Sequence, residues 1–123
     1  MNMTFTVPGA PKPKERARRS PQGHFYTPHA TENFEEKVKV YALQAMSRAR
    51  WPVRTTERCA VTLHVHFARG GDGDNAFKAV TDAMNKLVYA DDRQVFEMHV
   101  FKYTGSDRPR VDVEVAILAG GKS

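Results

Sequence analysis

Apolar and polar residues alternate with two different periods along the chain, and these periods predict four strands and two helices. Alternation is clearest between Cys59 and Phe67, where every second residue is apolar, which is typical of a strand with one buried face. Spacings of three and four predict a helix from an N-cap at Thr31 to about Ala49 and a second from near Asp74. The predicted order is β-α-β-α-β-β, with strands at 4–7, 59–67, 95–103 and 111–117.

The order and length of these elements predict one α+β domain that covers residues 1–123 and contains a mixed sheet. The last two strands flank a turn at 105–109, so we expect them to form an antiparallel hairpin. Both helices are then available to cover one face of the sheet. Residues 8–30 hold five of the seven prolines and show no apolar period, which predicts a surface loop.

Charge is unevenly distributed along this chain of net charge +5. Residues 1–58 carry 11 Lys and Arg against 5 Asp and Glu, whereas residues 59–123 carry 8 against 9. A basic surface attracts polyanions, and nucleic acid is the commonest polyanion in a cell, although solubility alone also explains such a charge. With one cysteine, no signal peptide and no apolar run of membrane-span length, we expect a cytoplasmic protein.

Five of the fourteen acidic residues fall within a short stretch of this basic protein. They are Asp72, Asp74, Asp82, Asp91 and Asp92. Crowded carboxylates repel one another unless a cation neutralises them, and Mg²⁺ prefers oxygen ligands. A bound magnesium ion acidifies water and stabilises charge on a phosphoryl group, and Lys78, one helical turn after Asp74, is placed to supply an ammonium beside it.

Simpler interpretations of the acidic residues remain open. Asp74 is a suitable helix N-cap, Lys78 and Asp82 form an ordinary i,i+4 surface pair, and the two adjacent aspartates suit a turn before a strand. A calcium-binding EF-hand loop is excluded, because Ala76, Phe77 and Ala83 occupy positions where it needs an oxygen ligand, glycine and glutamate.

The histidines and the cysteine indicate less about function than the acidic residues do. His64 and His66 share one face of the predicted strand, and with His99 they allow a zinc site, but the polar face of a half-exposed strand explains them more simply. Phosphate contacts are a third interpretation of these histidines. Cys59 falls on the apolar face and is expected in the core.

The stretch from Asp72 to Val95 resembles the RusA family of Holliday junction resolvases. The shared elements are, in order, D-G-D-N at 72–75, lysine at 78, D-A-M at 82–84 and D-D-R-Q-V at 91–95. A weaker similarity covers Pro8-Gly9, the basic residues that follow and Tyr26-Thr27-Pro28 ahead of the first helix. The resemblance is specific because separate elements agree in order and spacing, and the predicted element order agrees with the family fold.

This resemblance implies a homodimer from a bacterium or phage that nicks two opposing strands of a four-way DNA junction, using Mg²⁺ or Mn²⁺. It implies catalytic roles for Asp72, Asp74, Lys78 and Asp92, with Asp91 as a further metal ligand. Some members carry basic residues directly before the first aspartate, where this chain has only Arg69 nearby. We therefore expect DNA contacts from a wider basic set: Lys12, Lys14, Arg16, Arg18, Arg19 and Arg69.

Two other functions are compatible with the same sequence features. A non-catalytic DNA-binding protein would use the basic first half alone, with the acids serving as caps and solvated surface. A metal-dependent nuclease with another substrate, such as forks, flaps or RNA, would share the same acidic site. Metal-dependent nicking of a synthetic junction, compared with duplex of equal length, separates the three.

Overall fold

The fold was obtained as a computed structural model. It describes the backbone of residues 1–11, 18–19, 25–26 and 29–118, and the side chains of residues 1–11 and 34–118. The elements are β1 (Asn2–Pro8), β2 (Arg18–Arg19), β3 (Phe25–Tyr26), α1 (His29–Ala49), β4 (Cys59–His66), α2 (Gly73–Met84), β5 (Val95–Tyr103) and β6 (Arg110–Ile117). A single 3-10 turn, Asp92–Gln94, precedes β5.

The four long strands form one mixed sheet in the order β1-β6-β4-β5. Strand β6 is antiparallel to β1 and to β4, whereas β4 and β5 run parallel. The expected hairpin between the last two strands is therefore wrong, because β4 lies between them. The connection at 104–109 crosses the end of β4, where the N–H groups of Gly105 and Ser106 donate to the carbonyls of Ala68 and Phe67. A turn of this length permits either arrangement, so the turn residues did not decide it.

One face of this sheet forms the hydrophobic core, as the alternating pattern predicted. Leu63, for example, is buried between Val113 of β6 and Val100 of β5 in the sheet register. Both helices cover that face. The buried residues of α1 are Phe34, Val38, Ala42, Ala45 and Met46, and those of α2 are Ala76, Ala79, Val80, Ala83 and Met84. The alanines let the helices approach closely, and a mixed α+β architecture with both helices on one side is confirmed.

Element boundaries differ from the predictions mainly near the N-terminus. Helix α1 begins at His29, two residues before the predicted cap at Thr31, and ends at Ala49 as expected. The region predicted as loop contains a two-stranded antiparallel ribbon, in which Arg18 lies opposite Tyr26. Such short strands leave no periodic signal in a sequence. No helix in the described part of the chain is long and apolar enough to span a membrane.

Candidate active site

The connection between β4 and α2 lies at the carboxyl ends of the two parallel strands. The N–H of Phe67 donates to the carbonyl of Tyr103 at the end of β5, at 2.9 Å. Gly105 and Ser106 also bond back to this connection, at 3.2 and 3.0 Å. These backbone bonds fix the segment that carries Asp72 to the neighbouring edge strand, so the start of α2 has a defined position beside β5.

Asp72 is the N-cap of α2. Its Oδ1 accepts hydrogen bonds from the backbone N–H groups of Asp74 at 2.9 Å and Asn75 at 3.2 Å, and its Oδ2 accepts one from the Asn75 side chain at 3.0 Å. These bonds satisfy N–H groups that the helix leaves free at its first turn. The cap that the sequence assigned to Asp74 as an alternative therefore belongs to Asp72. A carboxylate has about four lone-pair sites, so Asp72 keeps capacity for another ligand.

Asp72 and Asp74 line one open hollow of ≈ 530 Å³ at the start of α2. The other lining residues are Gly71, Gly73, Val100 and Lys102. Both aspartates are exposed, and the Asp74 carboxylate accepts no hydrogen bond and joins no ion pair within the part of the chain that the structure describes. The positive end of the α2 dipole favours negative charge at both positions. The hollow thus presents two carboxylates to solvent.

Asp91 and Asp92 lie elsewhere. The Asp91 carboxylate caps the 3-10 turn by accepting from the backbone N–H of Arg93 at 2.9 Å, and Gln94 completes the capping box by accepting from the Asp91 N–H at 2.8 Å. The hydrogen bond from the Arg93 backbone lowers the pKa of Asp91, and the Arg93 guanidinium, with its Nε 3.3 Å from the Asp91 Oδ1, lowers it further. Asp92 is exposed and lines a second hollow with Phe77, Thr81, Val95 and Met98.

The two hollows both lie along the contact between α2 and β5, and this line of contact is called the groove below. Asp74 and Thr81 are seven residues apart on α2, which is about 10 Å along the helix axis. On β5, Val100 lines the first hollow and Met98, two residues away on the same face, lines the second. Among the described residues, no three His, Cys, Asp or Glu side chains are grouped closely enough to hold a metal ion. Within one chain, then, Asp72 and Asp74 come together and Asp92 lies further along the same groove.

The predicted basic residues are only partly placed. Lys78 is exposed one turn after Asp74, but it does not line the hollow that holds the two aspartates. Arg69 is exposed on the connection that precedes Asp72. Lys12, Lys14 and Arg16 lie outside the described residues, as do the side chains of Arg18 and Arg19, whose backbone forms β2.

His64, His66 and His99 lie on the face of the sheet opposite the helices. His64 stacks on Phe101, with ring centroids 4.9 Å apart, and its Nδ1 is 2.9 Å from the Tyr103 hydroxyl. His66 lies 3.3 Å from the Asp112 carboxylate, and His99 lies 3.4 Å from Glu97. The described residues therefore provide no zinc site here, and the polar-face interpretation accounts for these histidines.

Cys59 is buried in the core, as expected from its place on the apolar face. Burial, with a smaller contribution from the Glu57 charge, raises the pKa of its thiol to about 11. A thiol that stays protonated at neutral pH is a poor nucleophile. Cysteine-based chemistry therefore has no support in the described fold.

Lys102 is the site residue that the sequence reasoning missed. It lines the hollow of Asp72 and Asp74, although it lies 30 and 28 positions after them along the chain. The signal was present in the alternation of β5, where Met98, Val100 and Lys102 share the face that elsewhere is apolar. A lysine in that series indicates a position at the rim of the core, but only the strand order shows which loop it meets.

The donor set of the hollow suits a hard divalent cation. Asp72 and Asp74 supply carboxylate oxygens, which Mg²⁺ prefers, and the open side leaves space for waters and a phosphate. One or two protein carboxylates are the usual number at such a magnesium site. The residues present therefore fit the ion that the sequence predicted.

Comparison with known proteins identifies the family of this chain. The family model described as endodeoxyribonuclease RusA matches residues 8–116, which include every element of the groove. The uncharacterized protein YqaN of Bacillus subtilis (strain 168) is 48% identical over 44 residues. That alignment covers 36% of this chain and 30% of the relative, so it gives local similarity to a protein of unstated activity. Because the family model spans most of the chain, the protein belongs to the RusA endodeoxyribonuclease family.

Proposed function

We propose that this protein is a divalent-metal-dependent endonuclease that cuts four-way DNA junctions by paired, symmetric nicks. The observation that carries the proposal is the pair of exposed carboxylates, Asp72 and Asp74, side by side in an open hollow with a lysine. Membership of an endodeoxyribonuclease family supports the same chemistry. The net charge of +5 favours binding of a polyanion despite the local acids.

In this proposal Asp72 and Asp74 hold Mg²⁺, with Mn²⁺ as a substitute. When bound, the ion supplies an acidified water as nucleophile and offsets charge on the phosphoryl oxygens. Asp72 also holds the helix start in place through its bonds to Asp74 and Asn75. These cap bonds fix the backbone of Asp74 relative to the Asp72 side chain, which limits the reorganisation needed when a ligand arrives.

Asp92 is proposed as a further catalytic carboxylate of the same groove. Its position at the first residue of the 3-10 turn is fixed by the capping box of Asp91 and Gln94, and Gln94 also donates to the carbonyls of Thr55 and Glu57 at 2.7 and 2.9 Å. In this proposal Asp91 positions Asp92 through the capping box, and the Arg93 guanidinium 3.3 Å from its carboxylate offsets the charge that would attract a cation, so the ligand role is assigned to Asp72 and Asp74. Lys78 is proposed to contact the DNA backbone outside the hollow.

The direct test is incubation of the purified protein with a synthetic four-way junction, with and without Mg²⁺, and mapping of nicks on all four strands. We expect metal-dependent nicks at symmetric positions on two opposing strands. Linear duplex of equal length is expected to be cut at least about tenfold more slowly. The absence of metal-dependent product from every branched DNA would contradict the proposal. If flaps or forks are cut faster than the junction, they and not the junction are the preferred substrate.

A homodimer gives the paired cuts a physical basis. A four-way junction has a two-fold axis, and an isologous dimer places two identical sites across such an axis. We propose the free edge of β5 as the contact between two copies. Half of the exposed large apolar side chains of the described residues lie on this strand: Phe96, Met98, Phe101 and Tyr103. A long apolar edge with unpaired backbone groups invites strand pairing with a second chain.

Phe101→Glu tests this contact without touching the carboxylates, because Phe101 lies on the sheet face opposite the groove. In sedimentation velocity we expect the wild type to be a dimer. The dimer dissociation constant of the variant should be at least about tenfold higher, since a charge at a paired edge is unfavourable. Val53→Glu, at a loop residue that is 69% exposed, is the matched control and should remain dimeric. A dimer unaffected by Phe101→Glu would place the contact elsewhere.

A further inference from the structure

Lys102 brings a positive charge into the hollow that holds Asp72 and Asp74. It lies opposite Val65 in the parallel register of β4 and β5, and Val65 is fully buried on the helix-covered face. Neighbouring residues of paired strands point to the same face, so Lys102 points toward α2. It is also the last residue but one of β5, which puts its side chain beyond the packed core and beside the start of the helix.

The ring of Phe67 lies close to both this lysine and the loop that carries Asp72. The Lys102 Nζ is 6.0 Å from the centroid of the Phe67 ring, within the range of a cation–π contact. The same ring fills the space beside Gly71, where an added Cβ would lie 2.3 Å from its nearest atom. One buried side chain therefore lies beside the residue directly before Asp72 and also near the ammonium of Lys102.

The charge of Lys102 is available to a ligand. The residue is exposed, and within the described part of the chain its ammonium makes no ion pair with any carboxylate. Lys78, the lysine that the sequence assigned to the site, does not line this hollow. Among the described residues, Lys102 is thus the cationic side chain that the hollow itself presents.

We propose that Lys102 binds the DNA phosphate that enters the hollow and holds it beside Asp72 and Asp74. The inference rests on the proposed nuclease function and adds a phosphate-binding residue to it. Two carboxylates repel a phosphodiester, and a nearby ammonium offsets that repulsion before and during the reaction. Because Lys102 is on β5, it would hold the phosphate against the edge strand. Lys78 is on α2 and would contact the DNA from the helix instead.

Lys102→Met removes the charge and keeps an unbranched apolar side chain at this position. We expect the single-turnover rate constant for cleavage of the junction to fall about tenfold or more, because a charge stabilising the phosphoryl group is lost. Without divalent metal, the slope of log affinity against log salt should fall by about 1 for each occupied site. Lys102→Arg should recover most of the cleavage rate.

Lys39→Met is the matched control. Lys39 lies on α1, is half-exposed, and pairs with Glu36 at 3.6 Å, so the substitution removes the same charge at a residue that lines neither hollow. We expect it to leave both cleavage and salt slope at wild-type values. Thermal unfolding of all three variants should match wild type, which separates a binding defect from a folding defect.

The outcomes distinguish this inference from the nuclease proposal. If wild type cleaves junctions while Lys102→Met equals Lys39→Met in both cleavage and salt slope, the role of Lys102 is refuted and the nuclease stands. If wild type binds junctions without cutting, the salt slope still decides whether Lys102 contacts phosphate. If wild type does not bind DNA at all, both proposals fail.

Discussion

Replacing Asp74 with asparagine should reduce metal-dependent cleavage of a four-way junction by at least about 100-fold while leaving junction affinity unchanged or higher. The Asp74 carboxylate has no hydrogen-bond partner among the described residues, so its charge is available to an ion. Removing that charge weakens ion binding and also removes repulsion toward a phosphate backbone. Single-turnover cleavage with a magnesium titration, together with binding measured without metal, separates the two effects.

Asp72→Asn should give the same loss of cleavage with a folded protein, for a reason visible in its contacts. Asparagine retains one side-chain oxygen, which can still accept from the N–H groups of Asp74 and Asn75, and it is a good N-cap. Glu36→Gln, an exposed α1 residue, is the charge-matched control and should cleave normally. Equal loss of binding and cleavage in folded Asp74→Asn or Asp72→Asn protein would refute the metal-ligand role.

The sequence predicted the parts of the fold that depend on local periodicity. The alternation between Cys59 and Phe67 identified β4 and its buried face, because successive side chains of a strand point to opposite faces and the buried face is apolar. The spacing of Val80 and Met84 similarly identified the core side of α2, which the structure confirms. These predictions need only a few neighbouring residues and no knowledge of the strand order.

Strand order was the part that local patterns did not determine. Strands β5 and β6 are separated by a short turn whether they pair with each other or flank β4, so the sequence favoured a hairpin that does not exist. The same limitation explains the site. Asp72 and Asp74 were predicted together because they are adjacent along the chain, whereas Lys102 joins them only because β5 runs parallel to β4. The separation of Asp92 from that pair likewise depends on where the 3-10 turn meets the groove.

Gly71, the residue before the first aspartate, has no room for a side chain. The ring of Phe67 occupies that space: an added Cβ would lie 2.3, 2.5 and 2.6 Å from three of its ring atoms. Phe67 is only 7% exposed and its N–H is bonded to Tyr103, so the ring has little freedom to move. With the Phe67 ring in this position, residue 71 therefore has no space for a side chain.

Gly71→Ala should consequently destabilise the protein by about 1–3 kcal/mol, the usual cost of overpacking, and lower cleavage about 100-fold. The second effect follows because the strain falls on the residue next to Asp72, and small displacements of a catalytic group are costly. Urea unfolding and single-turnover cleavage measure the two effects. Gly70→Ala is the matched control, since a Cβ there meets nothing within 4 Å.

Combining Gly71→Ala with Phe67→Leu tests the cause of the defect. The smaller side chain removes the ring atoms that the new methyl group would meet, so the double variant should be more stable than the sum of the two single changes predicts. Cleavage should recover with it, because the loop regains room to present Asp72. If Gly71→Ala behaves like Gly70→Ala in both stability and cleavage, the contact between Phe67 and the aspartate loop does not hold the site in position.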